Sequence, residues 1–378
     1  MPASMISAAV VAAFVGYGST IALVLAAAQA VGASAAQTAS WVLAVCFAKA
    51  IGTIGLSLWA RIPVILAWST PGAALIAATT GIRMEEAVGA FILAAALIVL
   101  TGLIRPLARL IARIPDGVAA GMLAGVLLPF VLALAPAALA QPASVLPMVL
   151  VFLALRRVNP SYAVLAALAL GVALAFLTGA AAPVEGAFAA PHPVFIRPEF
   201  SASALIGLGV PLYLVTMASQ NLPGFATLRA AGYTPPVAPA LTVSGALSAV
   251  AAFFGAHTVN MAAITAAICL GDDVHPDRAQ RWRVGFAYGA TWIALGLSGP
   301  LVVALMAALP GSLMDALVGI ALLGPITGAL TATMGHTGSR FAAIVTMIVT
   351  ASGVTVLGIG AAFWGLVAGL ATLAFERR

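Results

Sequence analysis

Long apolar runs without a charged side chain recur along this sequence and constrain its fold more than any other feature. A helix crosses a hydrocarbon core of about 30 Å in about 20 residues. Charge-free runs long enough to cross are Met5–Val31, Ala87–Ile104, Val158–Val184, Phe200–Leu228, Val284–Met314, Ala316–Ser339 and Phe341–Phe375. Hydrophobic residues make up 63% of the chain and charged residues 7%, whereas about a quarter of an ordinary soluble domain is charged. The sequence therefore predicts an all-α polytopic membrane protein.

Other runs are interrupted or too long for one crossing, and they set the expected number of segments. These runs are Ala39–Ala60, which contains Lys49, and Ile62–Gly81, Gly117–Leu155 and Ala230–Gly271. The last two contain internal prolines and divide into two segments each, Phe341–Phe375 divides near Ser352, and Val284–Met314 is expected to kink at Gly299-Pro300. The first run has no basic residues before it, so it is interpreted as a retained span and not as a signal peptide. The total is about fourteen transmembrane segments.

The distribution of basic residues predicts the orientation. Cytoplasmic loops of membrane proteins carry an excess of Lys and Arg. With the N-terminus inside, only Arg83 and Arg197 fall outside. The cytoplasmic set is Arg61, Arg105, Arg109, Arg113, Arg156, Arg157, Arg229, Arg278, Arg281, Arg283, Arg340, Arg377 and Arg378. We expect a bacterial inner-membrane protein with both termini in the cytoplasm. Because the basic residues lie mostly in short loops between apolar runs, the net charge of +6 does not indicate nucleic-acid binding.

One interrupted span lies in each half of the chain. In the first half, the apolar stretch Ile62–Trp68 meets Ser69, Thr70, Pro71 and Gly72 before a short helical stretch that ends at Thr80. Thr70 followed by Pro71 is typical of an N-cap and the first helical position. A helix from Pro71 to Thr80 is about 15 Å long, which is half a bilayer. A simple kink is the alternative for this segment taken alone.

The second half repeats the pattern in the corresponding place. Ala252–Ala256 runs into His257-Thr258-Val259-Asn260, and a helical stretch, Met261–Leu270, follows. Paired breaks in two halves are the best sequence indication of a transporter binding site. The start of a half-helix carries a partial positive charge and unpaired N–H groups, which suit an anion. We expect Ile62–Trp68 and Ala252–Ala256 to be extended and to pair with each other, since buried backbone must satisfy its own hydrogen bonds.

Ionisable side chains at membrane depth are few. All ten acidic residues fall in loops or at span ends, which leaves His257 and Lys49 as the candidates for a functional charge. His257 either exchanges a proton next to the substrate or is a neutral imidazole that bonds backbone freed by the break. Lys49 either neutralises a substrate anion or pairs with backbone carbonyls.

Three further polar residues are candidates for the same site. Gln220 and Asn221 end an apolar run just before Pro223, where amides either bind a carboxylate or cap a helix. Tyr17 in the first span either lines the same cavity or packs between helices. There is no motif for a metal, a cofactor or a catalytic nucleophile, so an enzyme is not expected.

The interrupted segments carry a family resemblance. The sequence resembles the benzoate:proton symporters in the strings Ile54–Trp59, Ala67–Ala74, Met217–Gly224, His257–Asn260 and Ala262–Ala267. The resemblance implies the fold of the uracil:proton symporters, with two inverted seven-segment repeats (residues 1–180 and 201–378) joined by an outside loop (181–200). It also implies a core domain of segments 1–4 and 8–11 and a gate domain of segments 5–7 and 12–14. In that fold the third and tenth segments pair as strands followed by half-helices, and the substrate lies between them.

The implied function is uptake of benzoate or a similar aromatic carboxylate together with protons. The implied substrate-binding residues are Tyr17, Ser69, Thr70, Pro71, Gly72, Gln220, Asn221, His257, Thr258 and Asn260, and proton coupling or charge compensation is assigned to His257 and Lys49. Related nucleobase carriers have acidic residues in the eighth and tenth segments, whereas this chain has Gln220, Asn221 and His257 there. A carrier for another small anion or a nucleobase and a passive anion channel are the alternatives. A homodimer is left open.

Overall fold

The computed structural model describes residues 1–104, 115–158, 160–184, 189–335 and 337–376. Regular structure in these ranges is almost entirely helical, as the apolar runs predict. The helices are α1 (Ala3–Gly18), α2 (Ile21–Ala30), α3 (Ala35–Ala60), α4 (Thr70–Ala77), α5 (Met84–Leu103), α6 (Asp116–Leu132), α7 (Leu134–Ala140), α8 (Pro142–Val158), α9 (Pro160–Leu177), α10 (Ala202–Ala230), α11 (Val237–Ala252), α12 (Ile264–Leu270), α13 (Val284–Leu297), α14 (Gly299–Ala307), α15 (Gly311–Gly335), α16 (Arg340–Ala351) and α17 (Ala361–Glu376). Two short strands, β1 (Leu66–Trp68) and β2 (Val259–Met261), complete the set together with 3-10 turns at Arg278–Arg283 and Thr337–Ser339.

The described residues include six helices that are long and apolar enough to cross a membrane, or seven if the bent pair α13 and α14 forms one span. That pair bends by 52° at its break, which confirms the kink predicted at Gly299-Pro300. The predicted divisions of Gly117–Leu155 and Phe341–Phe375 are also confirmed, by α6 and α8 and by α16 and α17. The count of fourteen segments stays a prediction. The predictions for Arg105, Arg109, Arg113, Glu185, His336, Arg377 and Arg378 concern residues outside the described ranges.

The two interrupted spans meet at the strands. β1 and β2 are antiparallel, with Leu66 opposite Met261 and Trp68 opposite Val259. Backbone hydrogen bonds at both ends lengthen the pairing, from the N–H of Ser69 to the carbonyl of Thr258 (3.2 Å) and from the N–H of Ala262 to the carbonyl of Ile65 (2.9 Å). Because the strands are antiparallel, α4 and α12 start from opposite ends of the paired strands.

The prediction for the second strand is wrong in its position. Ala252 ends α11, and Phe253–Gly255 forms a turn that closes with Gly255 at a φ of +89°. The strand begins only after His257, so α12 starts at Ile264 and not at Met261. The prediction for the first strand is confirmed, since β1 lies inside Ile62–Trp68.

Serine side chains bond buried backbone in matching ways, at Val259 of β2 and at Val64, two residues before β1. Ser57 of α3 both donates to the carbonyl of Val64 (3.1 Å) and accepts from its N–H (3.0 Å). Ser248 of α11 does the same for Val259, at 3.3 Å and 2.8 Å. Each serine comes from the helix that precedes its strand. In both halves of the chain, a serine hydroxyl therefore pairs backbone N–H and C=O groups that are buried away from water.

Charged side chains form a few contacts among the described residues. Arg83 forms an ion pair with Glu199, whose own N–H bonds the carbonyl of Glu85 (2.9 Å). The guanidinium of Arg61 lies 4.4 Å from the ring centroid of Trp282, within the basic turn Arg278–Arg283. The orientation predicted from the arginines stays a prediction.

The helices α6, α16 and α17 pack closely through small residues. A Cβ added at Gly125 would come within 2.6 Å of the carbonyl oxygen of Met347, and one added at Gly365 would lie 2.9 Å from that of Thr346. Glycine spacing in this group therefore serves close helix packing.

Candidate substrate-binding site

The start of α4 presents its first turn to a large cavity. Ser69 is the N-cap residue, and its hydroxyl accepts the N–H of Gly72 at 3.0 Å. The prediction of Thr70 as the cap is wrong, because Thr70 already belongs to the helix and Pro71 follows it. The Thr70 hydroxyl instead lies in the cavity wall, 2.8 Å from the hydroxyl oxygen of Thr20. α4 ends at Ala77, short of the predicted Thr80.

The start of α12 forms the neighbouring part of the same wall. Its N-cap residue is Ala263, which makes no side-chain cap bond, and Ala262, Ala263, Ile264 and Thr265 line the cavity. Two helix starts therefore border one space, as the paired breaks predict.

The cavity has a volume of about 910 Å³ and lies between two groups of helices. One wall comes from α1, β1, α4, α10 and α12, and it includes Gly16, Thr20, Trp68, Thr70, Gln220 and Thr265. The opposite wall comes from α6, α8, α9 and α15, and it includes Leu123, Phe152, Val164, Ile320, Pro325 and Ala329. Ligand sites are commonly clefts of about 300–1,000 Å³ with mostly apolar walls and few polar groups.

The polar groups of the cavity are concentrated on the first wall. Its neutral members are Ser19, Thr20, Thr70, Ser219, Gln220 and Thr265. Each can donate a hydrogen bond to an anion through a hydroxyl or an amide. The charged lining residues, Asp116 and Arg156, are both exposed, at the start of α6 and near the end of α8. The arrangement fits a molecule with an apolar body and one acceptor-rich end, the apolar body against the second wall and the acceptors against the first.

The cavity lining contains three of the residues predicted to bind substrate, namely Thr70, Pro71 and Gln220. Ser69 and Gly72 lie behind them and hold the turn together. Gln220 is half-buried and makes no hydrogen bond with another described residue. Its amide is therefore free to bind a molecule in the cavity.

Asn221, Thr258 and Asn260 are fully buried, and their side chains form hydrogen bonds in and beside the paired strands β1 and β2. The side-chain oxygen of Asn221 accepts the N–H of Met261 at 2.9 Å. Thr216 joins the hydroxyls of Thr258 (3.0 Å) and Ser69 (3.1 Å) into a chain. The Asn260 amide donates to the carbonyl of Met261 at 3.0 Å. These three residues position the half-helices, and none of them is part of the cavity wall.

His257 adjoins the predicted turn, but it does not reach the cavity. Its Nδ1 lies 2.9 Å from the indole Nε1 of Trp41, and its Nε2 lies 3.2 Å from the carbonyl oxygen of Ser69. An indole N–H can only donate, so Nδ1 is an acceptor without a proton and Nε2 donates to Ser69. The side chain is fully buried. His257 is thus a neutral imidazole that supports the turn, which is the structural alternative considered for it above.

Lys49 and Tyr17 lie on the far side of Trp68 from the cavity. The Lys49 Nζ is 3.7 Å from the ring centroid of Trp68 and 3.0 Å from that of Trp292. Tyr17 packs against the same two rings, at 5.6 Å and 5.9 Å between centroids. Both residues are buried, and neither is in the cavity wall.

Several lining residues have no individual prediction from the sequence. Trp68 belongs to a predicted strand, and its position directly before the break is the feature that could have indicated a place in the cavity wall. Leu123, Phe152 and Ile320 come from helices that are apolar on all sides. Nothing local separates a cavity-facing leucine from a lipid-facing one, so these residues had no sequence signal.

Comparisons with known proteins agree with the fold and the site. The family model for benzoate membrane transport proteins matches residues 1–375. The chain is 43% identical over 370 residues to the inner membrane protein YdcO of Escherichia coli K12, covering 98% of this chain and 95% of that protein. It is 37% identical over 360 residues to the benzoate membrane transport protein of Acinetobacter baylyi, covering 95% and 91%.

Two solved structures share the fold. The transmembrane domain of the cyanobacterial bicarbonate transporter BicA aligns with a TM-score of 0.67 at 15% identity, over 97% of both chains. SLC26A9 aligns with a TM-score of 0.67 at 13% identity, over 98% of this chain and 65% of its own. The fold is the inverted-repeat fold of these proteins. Because the family model and both relatives match nearly the whole chain, the chain belongs to the benzoate membrane transport family.

Proposed function

We propose that this protein imports benzoate or a similar aromatic carboxylate together with protons across the bacterial inner membrane. The observation that carries the proposal is the cavity of about 910 Å³ whose polar wall begins at α4 and whose opposite wall is apolar. Membership of the benzoate membrane transport family supports the substrate class. The size of the cavity favours an aromatic acid over a small inorganic anion.

The carboxylate is proposed to lie at the start of α4. The positive end of the helix dipole favours an anion there, although the N–H of Gly72 is already bonded to Ser69 and Pro71 has none. Side chains therefore supply the donors, and Thr70 and Gln220 are the nearest candidates among the predicted site residues. The aromatic ring then packs against Leu123, Phe152 and Ile320.

Proton coupling is proposed from the charge of the substrate. Benzoate is an anion at neutral pH, and moving one negative charge into a negative-inside cell costs about 2.3 kcal/mol per 100 mV. Accumulation therefore needs at least one co-transported cation. Protons are the cation that the family resemblance implies.

The cavity is proposed to open towards the cytoplasm. Its exposed end is bordered by Asp116 and Arg156, and the distribution of arginines assigns Arg156 and both termini to that side. None of the lining residues comes from the described parts of the connecting loop, 181–184 and 189–200. The state is then inward-facing, with a core group of helices carrying the polar wall and a gate group carrying the apolar wall.

Uptake into proteoliposomes tests the proposal. Vesicles with purified protein should concentrate labelled benzoate when the outside is acidic, and a protonophore should abolish this accumulation of benzoate. Downhill flux alone would indicate a channel. Transport of bicarbonate or uracil in preference to benzoate would show that the substrate class is wrong.

A further inference from the structure

Lys49 occupies an unusual site for a cation. Its side chain is fully buried in α3, and its Nζ lies between the rings of Trp68 and Trp292, 3.7 Å and 3.0 Å from their centroids. Nζ has no hydrogen-bond partner among the described residues, and neither has the hydroxyl of Tyr17 or the indole nitrogen of Trp292. Three buried polar groups thus share one cluster and make no hydrogen bond with a described residue. We call Lys49, Tyr17, Trp68 and Trp292 the lysine box.

No described carboxylate compensates the charge of Lys49. The ion pairs in the described ranges join Arg83 to Glu86 and Glu199, and Arg281 to Asp272. The titratable groups around the box are Tyr17 from α1, Cys46 from the same helix, Tyr288 from α13, and His257. None of them is an acid that is ionised at neutral pH, and both nitrogens of His257 are already bonded.

The two indole faces compensate the ammonium only in part, because cation–π contacts with them return less free energy than removing an ammonium from water costs. A lysine in such a site can bind or release a proton, which an arginine cannot do. Whether Lys49 holds its proton therefore depends on the charge of whatever lies nearby.

The cavity is the place from which such a charge would act. Trp68 lines the cavity and also lies over Lys49, so one indole ring separates the two. Gly16, next to Trp292, lines the same wall, and a Cβ there would come within 3.3 Å of the Trp292 ring. Thr70 follows Trp68 by two residues, which is roughly 7 Å of extended chain. A carboxylate at Thr70 would thus lie close to Lys49.

Resting on the proposed function, we propose that Lys49 takes up the co-transported proton when a carboxylate occupies the cavity beyond Trp68. The amine of Lys49 binds one proton from the bulk solution and becomes an ammonium, and the substrate enters as an anion. The occupied site gains no net charge. Because the two binding events stabilise each other reciprocally, substrate and proton load together and leave together on the cytoplasmic side.

Calorimetry of benzoate binding in two buffers with different protonation enthalpies tests the inference, because it counts the protons taken up per ligand. For the unmodified protein we expect an uptake that approaches one proton in some interval between mildly acidic and mildly alkaline pH. Lys49→Met should take up none and should bind benzoate tenfold or more weakly, within the usual range of coupling. Lys49→Arg should also take up none, because arginine keeps its proton. Cys46→Ala, one turn away on α3, is the matched control and should behave as the unmodified protein.

Several results would overturn the inference. One is benzoate binding by the unmodified protein without proton uptake at any pH in that range. Another is an unchanged number of protons taken up per benzoate in folded Lys49→Met or Lys49→Arg. A third is proton uptake that disappears in His257→Gln but persists in both lysine variants. A complete lack of benzoate binding by the unmodified protein would instead contradict the proposed function, so the two failures can be told apart.

Discussion

Gln220 and Asn221 are adjacent amides in one π-helical turn of α10, and we predict opposite consequences for their replacement by alanine. Gln220 lines the cavity and is half-buried, without a hydrogen bond to another described residue. Asn221 is fully buried, and its Oδ1 accepts the N–H of Met261 at 2.9 Å. Gln220→Ala should therefore impair binding, and Asn221→Ala should impair stability.

The magnitudes follow from the bonds that each substitution removes. A hydrogen bond to a charged group contributes about 1.5–3 kcal/mol, so loss of the amide–carboxylate bond in Gln220→Ala corresponds to roughly 10- to 150-fold weaker binding. Its free energy of unfolding should change by no more than about 0.5 kcal/mol, as for other substitutions away from buried contacts. Asn221→Ala leaves a buried N–H of β2 unpaired, which costs about 1–3 kcal/mol.

The assay combines benzoate titration with thermal unfolding of both purified variants in one detergent. Each variant serves as the control for the other, because they differ only in which neighbour is truncated. Equal loss of affinity in both, with unchanged stability, would mean that Asn221 also contacts substrate. Unchanged affinity in Gln220→Ala would remove this residue from the site and refute the proposed position of the carboxylate.

Three further predictions concern residues around the paired strands β1 and β2 and around the cavity. His257→Gln should still concentrate benzoate in response to an imposed pH gradient but should unfold at a lower temperature, because His257 supports the turn as a neutral imidazole. Loss of gradient-driven uptake in a stable His257→Gln protein would contradict this. Ser248→Ala should lower the free energy of unfolding by about 1–3 kcal/mol, because it leaves the N–H of Val259 in β2 unpaired. Ser57→Ala should lower it less, because the N–H of Val64 also bonds the carbonyl of Ile62 at 2.9 Å. Chemical unfolding measures both, and an equal or larger loss in Ser57→Ala would contradict this order. Ala120→Phe, on the cavity face of α6, should reduce the transport rate for substituted benzoates more than for benzoate, with normal thermal stability; equal rates for both would show that the ring does not pack there.

Features with a local signal were the ones that the sequence predicted well. The apolar runs placed the helices, the Ser-Thr-Pro-Gly string placed the start of α4, and the polar string at His257 marked the second break. The position of β2 could not be obtained in the same way. Val259, Asn260 and Met261 are buried on both faces, so they show no alternation, and the apolar stretch before them was interpreted as the strand.

Long-range contacts explain what the sequence could not supply for the site. Asn221 and His257 are polar residues at the predicted depth, but their partners, Met261 and Trp41, are distant in the chain and occupy their polar atoms. Only the folded arrangement separates such supporting residues from Thr70 and Gln220, which remain in contact with the cavity. Lys49 was visible as a charge at membrane depth, whereas its enclosure by two indoles depends on residues from β1 and α13.

The most direct test of the central claim is a structure of the protein with 4-iodobenzoate, whose iodine marks the ring and whose carboxylate marks the polar end. We predict the carboxylate within hydrogen-bonding distance of the Thr70 hydroxyl and the Gln220 amide. The iodine should point towards the wall formed by Leu123, Phe152 and Ile320. A ligand bound in the reverse orientation, or bound outside this cavity under conditions that support transport, would contradict the account.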